Sequence, residues 1–440
     1  MIIEGGELVG ITIESNPVVA PVAETYWFYS YSGYSTIASA MDVPNDVYIS
    51  LNGTGNGIQK ISSAGASQAR VFSGNATTIE FEAGRGLRVD NGGNIFGAST
   101  VSSNIRYGKV NNALNAVHFC KVIYQTAGGS SSNSESVQDL GLDPDGTHFY
   151  LCGSGRDADN NQQLSAFKID AFTGNVAWAK TYAATPNGNS SGEMSKIDFD
   201  SGGNLWISAS VEAPNQTTSD SASMGIFKID KATGDILTQY IYNSTNSQTE
   251  RARTMCIDST GNIILAGASN DTGLIIKVYP GNGAIAWQQR TSGFTDFWAV
   301  DTDSNNDIYV GFTGGQRPIA KLHSSNGNIV WSNKITVAGT NGSFENLQVV
   351  GNSLYAYATS IGTNTLLAKL PLDGSGLGTY VANIGNIVYQ AQANAFSAGN
   401  LSLVTGNLTV REFGALSANV NTVTFFSNTT TTNSSLNTIV

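Results

Sequence analysis

Charge is scarce in this chain. Lys, Arg, Asp and Glu make up 12% of its 440 residues, about half the share usual for soluble globular proteins, so solubility rests on Asn, Ser, Thr and Gly. The charge present leans acidic, 22 basic against 33 acidic residues for a net −11, with no Lys/Arg cluster. Binding DNA or RNA by counterion release needs such a cluster, which argues against a nucleic-acid partner. Cysteine is almost missing: Cys120, Cys152 and Cys256 are an odd number and far apart, which excludes a disulfide framework or zinc site and leaves them as small buried hydrophobes. No run of about eighteen apolar residues exists to span a bilayer, so no membrane insertion is expected. The opening Met1-Ile2-Ile3-Glu4-Gly5-Gly6-Glu7 lacks the basic region and apolar core of a secretory signal, which suggests a chain made in a cytoplasm without classical export. Amphipathic helices are missing too. With 49 Gly against 9 Pro, and much Asn, Ser and Thr, the composition fits short strands joined by tight turns.

What is there is a repeat. Ile197-Asp198-Phe199-Asp200-Ser201-Gly202-Gly203-Asn204-Leu205-Trp206-Ile207 aligns with Met255-Cys256-Ile257-Asp258-Ser259-Thr260-Gly261-Asn262-Ile263-Ile264-Leu265, each reading strand, turn, strand. The same Asp-led turn recurs at 42–46, 90–94 and 303–307, more loosely at 143–147, with degenerate copies at Gly351-Asn352 and Gly399-Asn400. Asp, Asn and Gly suit it because their side chains bond the local backbone or tolerate positive φ. A second landmark is a basic residue followed by an aliphatic one, at Lys60, Lys109, Lys168, Lys228, Lys277, Lys321, Lys369 and, loosely, Arg411. Steps of 49, 59, 60, 49, 44, 48 and 42 residues separate these eight, as expected of one supersecondary unit copied with loop insertions. A third landmark, Gly-x-x-x-Trp, closes at Trp178, Trp287 and Trp331. Each unit therefore reads as four antiparallel strands, the first ending at the Asp turn, the third carrying the basic residue and the fourth the Trp. The expected fold is all-β, a single β-propeller of about eight such blades, with seven blades plus a small β-extension as the alternative.

The segments Lys168-Ile169-Asp170-Ala171-Phe172-Thr173-Gly174-Asn175-Val176-Ala177-Trp178 and Lys228-Ile229-Asp230-Lys231-Ala232-Thr233-Gly234 resemble the tryptophan-docking repeats of the eight-bladed quinoprotein (PQQ-like) propellers. The likeness is sharp over about four repeats. It implies that Trp178, Trp287 and Trp331 pack between adjacent blades; His118 and Thr238 occupy the Trp place in two other repeats, so docking there is expected to be weaker or different. The quinoprotein enzymes hold their cofactor with a vicinal cysteine pair, which this sequence does not have, so the resemblance implies no dehydrogenase activity.

An open ring would leave unpaired strand edges. Residues 25–32 read as a fourth strand with no preceding three, and residues 387–413 as three strands of a last blade, so the N-terminal strand is expected to close the ring. A competing arrangement puts 420–426 there. The domain reading is a docking arm over 1–23, a propeller over 24–426 and a polar tail over 427–440.

The chemistry-bearing residues are few. The basic residue of the third strand lies away from the channel, so it reads as a structural tie to an Asp or carbonyl. Asp301, Asp303, Asn305 and Asp307 have the alternating oxygen spacing that can wrap calcium, although Asn306 and Phe312 depart from the EF-hand pattern and the segment coincides with the repeat turn. Calcium is the one cofactor entertained. His118, His148 and His323 fall in different blades, and no nucleophile elbow or zinc-protease motif exists. Glu193, Glu212, Glu250 and Glu345 lie in loops where a propeller glycosidase would place carboxylates.

The expectation is a non-enzymatic bacteriophage virion protein, tail-associated or surface-exposed and oligomeric in the particle. Its N-terminal arm would dock other virion subunits, and loops at 126–135, 154–163, 184–193 and 212–222 would meet a host-surface glycan or protein. The alternatives are a secreted or cell-surface carbohydrate- or protein-binding propeller, and a glycan-active enzyme at the channel mouth.

Overall fold

Strands buried on both faces lose the alternation of a half-exposed sheet, and the second strand of the fifth repeat, Ile263–Ser269, is buried at all seven positions. Such strands must be sandwiched between two neighbours. The computed structural model shows how. It describes residues 26–439 apart from 33, 36–38, 43–45, 54–56, 63–66, 74–85, 102–103, 126–134, 157–161, 184–192, 212–221, 245–248, 271, 293, 314–316, 338–341, 361–363, 383–384, 393–394, 399–400, 405–408, 413–415, 421–424 and 428–433. The expected N-terminal arm therefore lies outside the described residues.

Seven antiparallel sheets form. Blade 1 is Ser39–Asp42, Asp46–Gly53, Gly57–Ser62 and Ser67–Ser73. Blade 2 is Gly86–Val89, Ile95–Val101, Asn104–Val110 and Val117–Gln125. Blade 3 is Ser136–Leu142, His148–Arg156, Gln162–Asp170 and Val176–Ala183. Blade 4 is Glu193–Phe199, Leu205–Val211, Ser223–Ile229 and Ile236–Ser244. Blade 5 is Glu250–Ile257, Ile263–Ser269, Thr272–Val278 and Ile285–Ser292. Blade 6 is Asp296–Thr302, Ile308–Thr313, Pro318–Leu322 and Ile329–Val337. Blade 7 takes Gly342–Val350, Ser353–Ser360 and Asn364–Pro371 from the end of the repeats and Tyr26–Ser32 from the N-terminal part of the chain.

Tyr26–Ser32 pairs antiparallel with Asn364–Pro371, Phe28 opposite Ala368, so the N-terminal strand supplies the fourth strand of the last blade. The three strands it joins are not those expected: they lie at 342–371, not 387–413.

The chain after blade 7 instead makes a circuit of the ring's outer rim. Gly385–Ala391 adds a fifth strand to blade 6, Ala395–Ala398 to blade 5, Leu401–Val404 to blade 4, Thr409–Glu412 to blade 3, Leu416–Val420 to blade 2, Phe425–Ser427 to blade 1 and Ser434–Ile439 to blade 7, outside Tyr26–Ser32. This girdle corrects four expectations. The count is seven, the alternative with a β-extension, because Arg411 sits in a girdle strand opposite Thr181 and not in an eighth blade. Gly399-Asn400, expected as a turn within a blade, lies outside the described residues, and the strands before and after it pair with blades 5 and 4. Residues 420–426 do not close the ring, and the expected tail at 427–440 contributes Ser427, the end of Phe425–Ser427, and Ser434–Ile439 to sheets. Side chains anchor the girdle as well. Ile387 and Tyr389 are fully buried between blades 6 and 7, and Phe396 packs on Phe297 and Phe312.

The core is divided among the interfaces. Seven hydrophobic clusters each draw on two adjacent blades. The cluster of Val47, Ile49 and Ile61 with Tyr355, Tyr357 and Leu367 joins blade 1 to blade 7, which closes the circle.

Candidate functional site

The two ends of the ring are built differently. At one end lie the turns between first and second strands and between third and fourth. Here Asp200 Oδ1 accepts the N–H groups of Gly202 and Asn204 at 3.0 and 2.9 Å, and Asp258 repeats the pattern with Thr260 and Asn262. The repeated lysine then reaches the turn: Lys277 Nζ lies 2.8 Å from Asp258 Oδ2, Lys109 Nζ 3.2 Å from Asp90 and Lys60 Nζ 2.9 Å from Asp46. Burial opposes ionisation of Asp258, but Lys277 and the turn donors outweigh it and hold the carboxyl below its usual range. Lysines also bond the next blade, as Lys168 Nζ does to the Lys231 carbonyl at 2.8 Å.

The tryptophans finish this stitching. Trp178, Trp287 and Trp331 donate Nε1–H to the carbonyls of Lys231, Ser324 and Leu372 at 3.1, 3.0 and 3.0 Å, each in the following blade. Each indole lies against a glycine there: a Cβ on Gly327 would come 2.7 Å from Trp287, and one on Gly374 equally close to Trp331. Where Trp is missing, docking is different, as expected, and is done by other residues. A bulge at Val117/Phe119 puts Phe119, not His118, opposite Lys109, and Phe119 covers Gly174. His118 is exposed and meets Asn94. In blade 4 Thr238 is opposite Lys228, but Tyr240 covers Gly283 and donates to the Pro280 carbonyl at 2.9 Å.

The four oxygen-bearing residues weighed for calcium are not brought together around one point. Lys321 Nζ stands 3.1 Å from both Asp303 Oδ2 and Asp307 Oδ2, taking the place a cation would need. Asp303 Oδ1 accepts the N–H groups of Asn305 and Asp307, the Asn305 residue itself is exposed, and Asp301 accepts the Val349 N–H of the next blade at 2.7 Å. Among the described residues no three His, Cys, Asp or Glu side chains are grouped to hold a metal.

On the axis, the first strands of blades 2 to 7 line a cavity of about 330 Å³ that includes Arg88, Lys196, Asp198, Cys256, Asp301 and Gln348. Burial pushes the Asp301 carboxyl up to about 6 against its two backbone donors, raises Asp198 likewise and drives the Cys256 thiol well above its ordinary value. Perturbed carboxyls in a cleft are candidates for catalysis. These, however, have both oxygens engaged by main-chain donors, Asp198 by Phe199 and Ile257 and Asp301 by Thr302 and Val349. Asp139 likewise accepts Ile197 N–H at 2.9 Å while pairing with Arg88. Each carboxylate ties its blade's inner strand to the next.

The other end carries the connections that vary in length. The strand ends flanking 126–134, 157–161, 184–192 and 212–221 all lie on it, although those expected binding loops fall mainly outside the described residues. The channel opens here beside a recess of about 450 Å³ whose wall includes Arg251, Asn270, Asp296, Trp298 and Ser343. Arg253 Nε bonds Asp296 Oδ2 at 2.9 Å, and its guanidinium lies 4.9 Å from the Trp298 ring centre. Of the glutamates, Glu193, Glu250 and Glu345 fall in the first strands of blades 4, 5 and 7, and Glu212 lies outside the described residues. Glu250 is buried, accepts Ser269 Oγ–H at 3.4 Å and has its carboxyl raised by burial. His148 bonds Thr147 and His323 bonds Ser325.

No protein-family model matches this chain, and no curated protein matches it. Solved structures similar to it include a quinohemoprotein alcohol dehydrogenase from Comamonas testosteroni at 10% identity, covering 79% of this chain and 76% of that one, TM-score 0.49. BamB from Moraxella catarrhalis is 16% identical over 80% and 93% of the two chains, TM-score 0.44, and the Dos1 propeller 9% identical over 74% of each, TM-score 0.47. At such identities the likeness concerns the fold alone.

The chain is a β-propeller.

Its repeat landmarks mark the stitched end. The channel ring of Arg88, Asp139, Lys196 and Asp198 and the recess with Arg251, Asp296 and Trp298 were missed, because these residues come from the first strands of different blades and meet only when the ring closes. The same inner-strand bulge recurs at Val137/Asp139, Met194/Lys196, Ala252/Thr254, Phe297/Ala299 and Phe344/Asn346.

Proposed function

We propose that the propeller is a non-enzymatic display frame, and that it serves as a tail-associated or surface-exposed structural or adhesion protein of a bacteriophage virion. The observation that carries the reading is the asymmetry of the ends. One is committed to Asp–Lys pairs and Trp–carbonyl bonds between blades, while the other bears the long connections, where a rigid frame presents adaptable contacts. Engagement of both oxygens of Asp198 and Asp301 by backbone donors favours a structural over a catalytic role for the channel carboxyls. A charge-poor, Asn/Ser/Thr/Gly-rich chain wrapped in its own girdle suits work in a particle outside the cell. Mass spectrometry and antibody labelling of purified particles test this: the protein should co-purify with the particle and be labelled on it. Recovery only from the cell surface or medium would replace the reading with a secreted binding propeller.

A further inference from the structure

We propose that the recess at the channel mouth, between blades 5, 6 and 7, is a carbohydrate-binding site that seats one sugar ring. The inference rests on reading the protein as a non-catalytic display frame and names the ligand class that the frame holds. Asp296 is 7% exposed, and its Oδ2 is bonded to Arg253, yet its Oδ1, also buried, has no hydrogen-bond partner. A buried acceptor left without a donor is costly, so the wall is chemically incomplete and asks for an O–H or N–H from a ligand. Burial raises the Asp296 carboxyl above its ordinary range even though Arg253 and the Trp298 indole N–H both favour its charged form.

The surroundings narrow the choice. Arg251 is exposed at the rim and offers donors to ligand oxygens, while Asn270, Thr313 and Ser343 can both give and accept. The Trp298 indole, with the Arg253 guanidinium 4.9 Å from its ring centre, adds an aromatic edge to the recess wall. An amine would meet Asp296 but face the Arg251 and Arg253 guanidiniums; a bare anion would meet the guanidiniums but face the carboxylate. A sugar carries hydroxyls that donate to one oxygen while accepting from another, and an apolar C–H face for the indole. The cavity of about 450 Å³ falls within the roughly 300–1,000 Å³ of small-molecule sites.

The test is binding of the full chain to immobilised oligosaccharides ending in neutral hexoses, N-acetylhexosamines or hexuronates, with a lysine-rich peptide and inorganic phosphate as comparison probes. At least one saccharide should bind, and Arg251→Ala, an exposed position, should weaken it about ten- to a hundredfold, as for loss of a charge-assisted bond, with the melting temperature unchanged. Asp296→Asn should weaken binding similarly, and His118→Ala, at the opposite end, should not. Failure of every saccharide to bind, capture of the peptide or phosphate alone, or saccharide affinity indifferent to Arg251→Ala would overturn the assignment. Sugar binding by a protein absent from particles would retire the virion reading alone; a particle protein that binds no sugar would retire the site alone.

Discussion

Trp287 shows how one side chain couples neighbouring blades. Its Nε1 donates to Ser324 O, its ring lies on Gly327, and Lys277 donates to the same carbonyl at 3.2 Å. Trp287→Phe keeps most of the packing and leaves the carbonyl a donor, so it should cost about 1 kcal/mol, whereas Trp287→Ala should cost about 3 kcal/mol in denaturant titration. Gly327 has φ +71° and no room for a Cβ, so Gly327→Ala should cost about 2–4 kcal/mol from backbone strain and overpacking together. Asp301 sets a pH dependence. Its carboxyl rises from an ordinary 3.8 to about 6 in the folded protein, so the folded state binds this proton more tightly than the unfolded chain. The resulting stability is fully present below 3.8 and is lost as pH rises through 6, an effect of up to about 3 kcal/mol before screening by channel water. Urea midpoints should therefore climb from pH 7 to pH 5, then fall below pH 4 as Asp90, Asp200 and Asp258, whose carboxyls are held low, take up protons. Asp301→Asn should flatten the climb. A midpoint that falls steadily from pH 7 would contradict this assignment. The docking tryptophans were legible because Gly-x-x-x-Trp is local in sequence. Phe119 and Tyr240 were not, since a bulge shifts one by a residue and the other fills the same space from two positions along.

At the scale of elements, the four-stranded repeat could be read from its turns, because Asp, Gly and Lys recur where the backbone needs them. The girdle could not. Its strands, three to seven residues long, come from a segment without Asp, so the Asp-led turn that marks the blades is missing, and they pair one by one with the blade edges they meet. Arg411 followed by Glu412 imitated the third-strand landmark without its Asp turn, which produced the count of eight. Removing residues 385–440 should leave seven outer edges uncovered, a template for pairing with other chains. The shortened protein should melt lower and form concentration-dependent oligomers in sedimentation, while removal of 434–440 alone should expose only the edge of blade 7 and give a milder loss.

For the whole molecule, stability is shared among seven interfaces rather than held in one centre. Opening the ring means breaking one interface and stripping the girdle across it. The fold class, the antiparallel units and closure by Tyr26–Ser32 followed from edge and repeat arguments; the reverse circuit of the C-terminal segment is a long-range pairing that no local pattern announces. Paired cysteines test that circuit most directly. Introduced at Tyr124 and Ser417, at Asn243 and Ser402, or at Arg290 and Ser397, which face one another across blades 2, 4 and 5, they should form intramolecular disulfides on mild oxidation of the folded protein, and the mismatched pair Tyr124 and Ser402 should not. Cross-linking of the mismatched pair with the matched pairs unreacted would contradict a ring girdled in reverse order by its own chain.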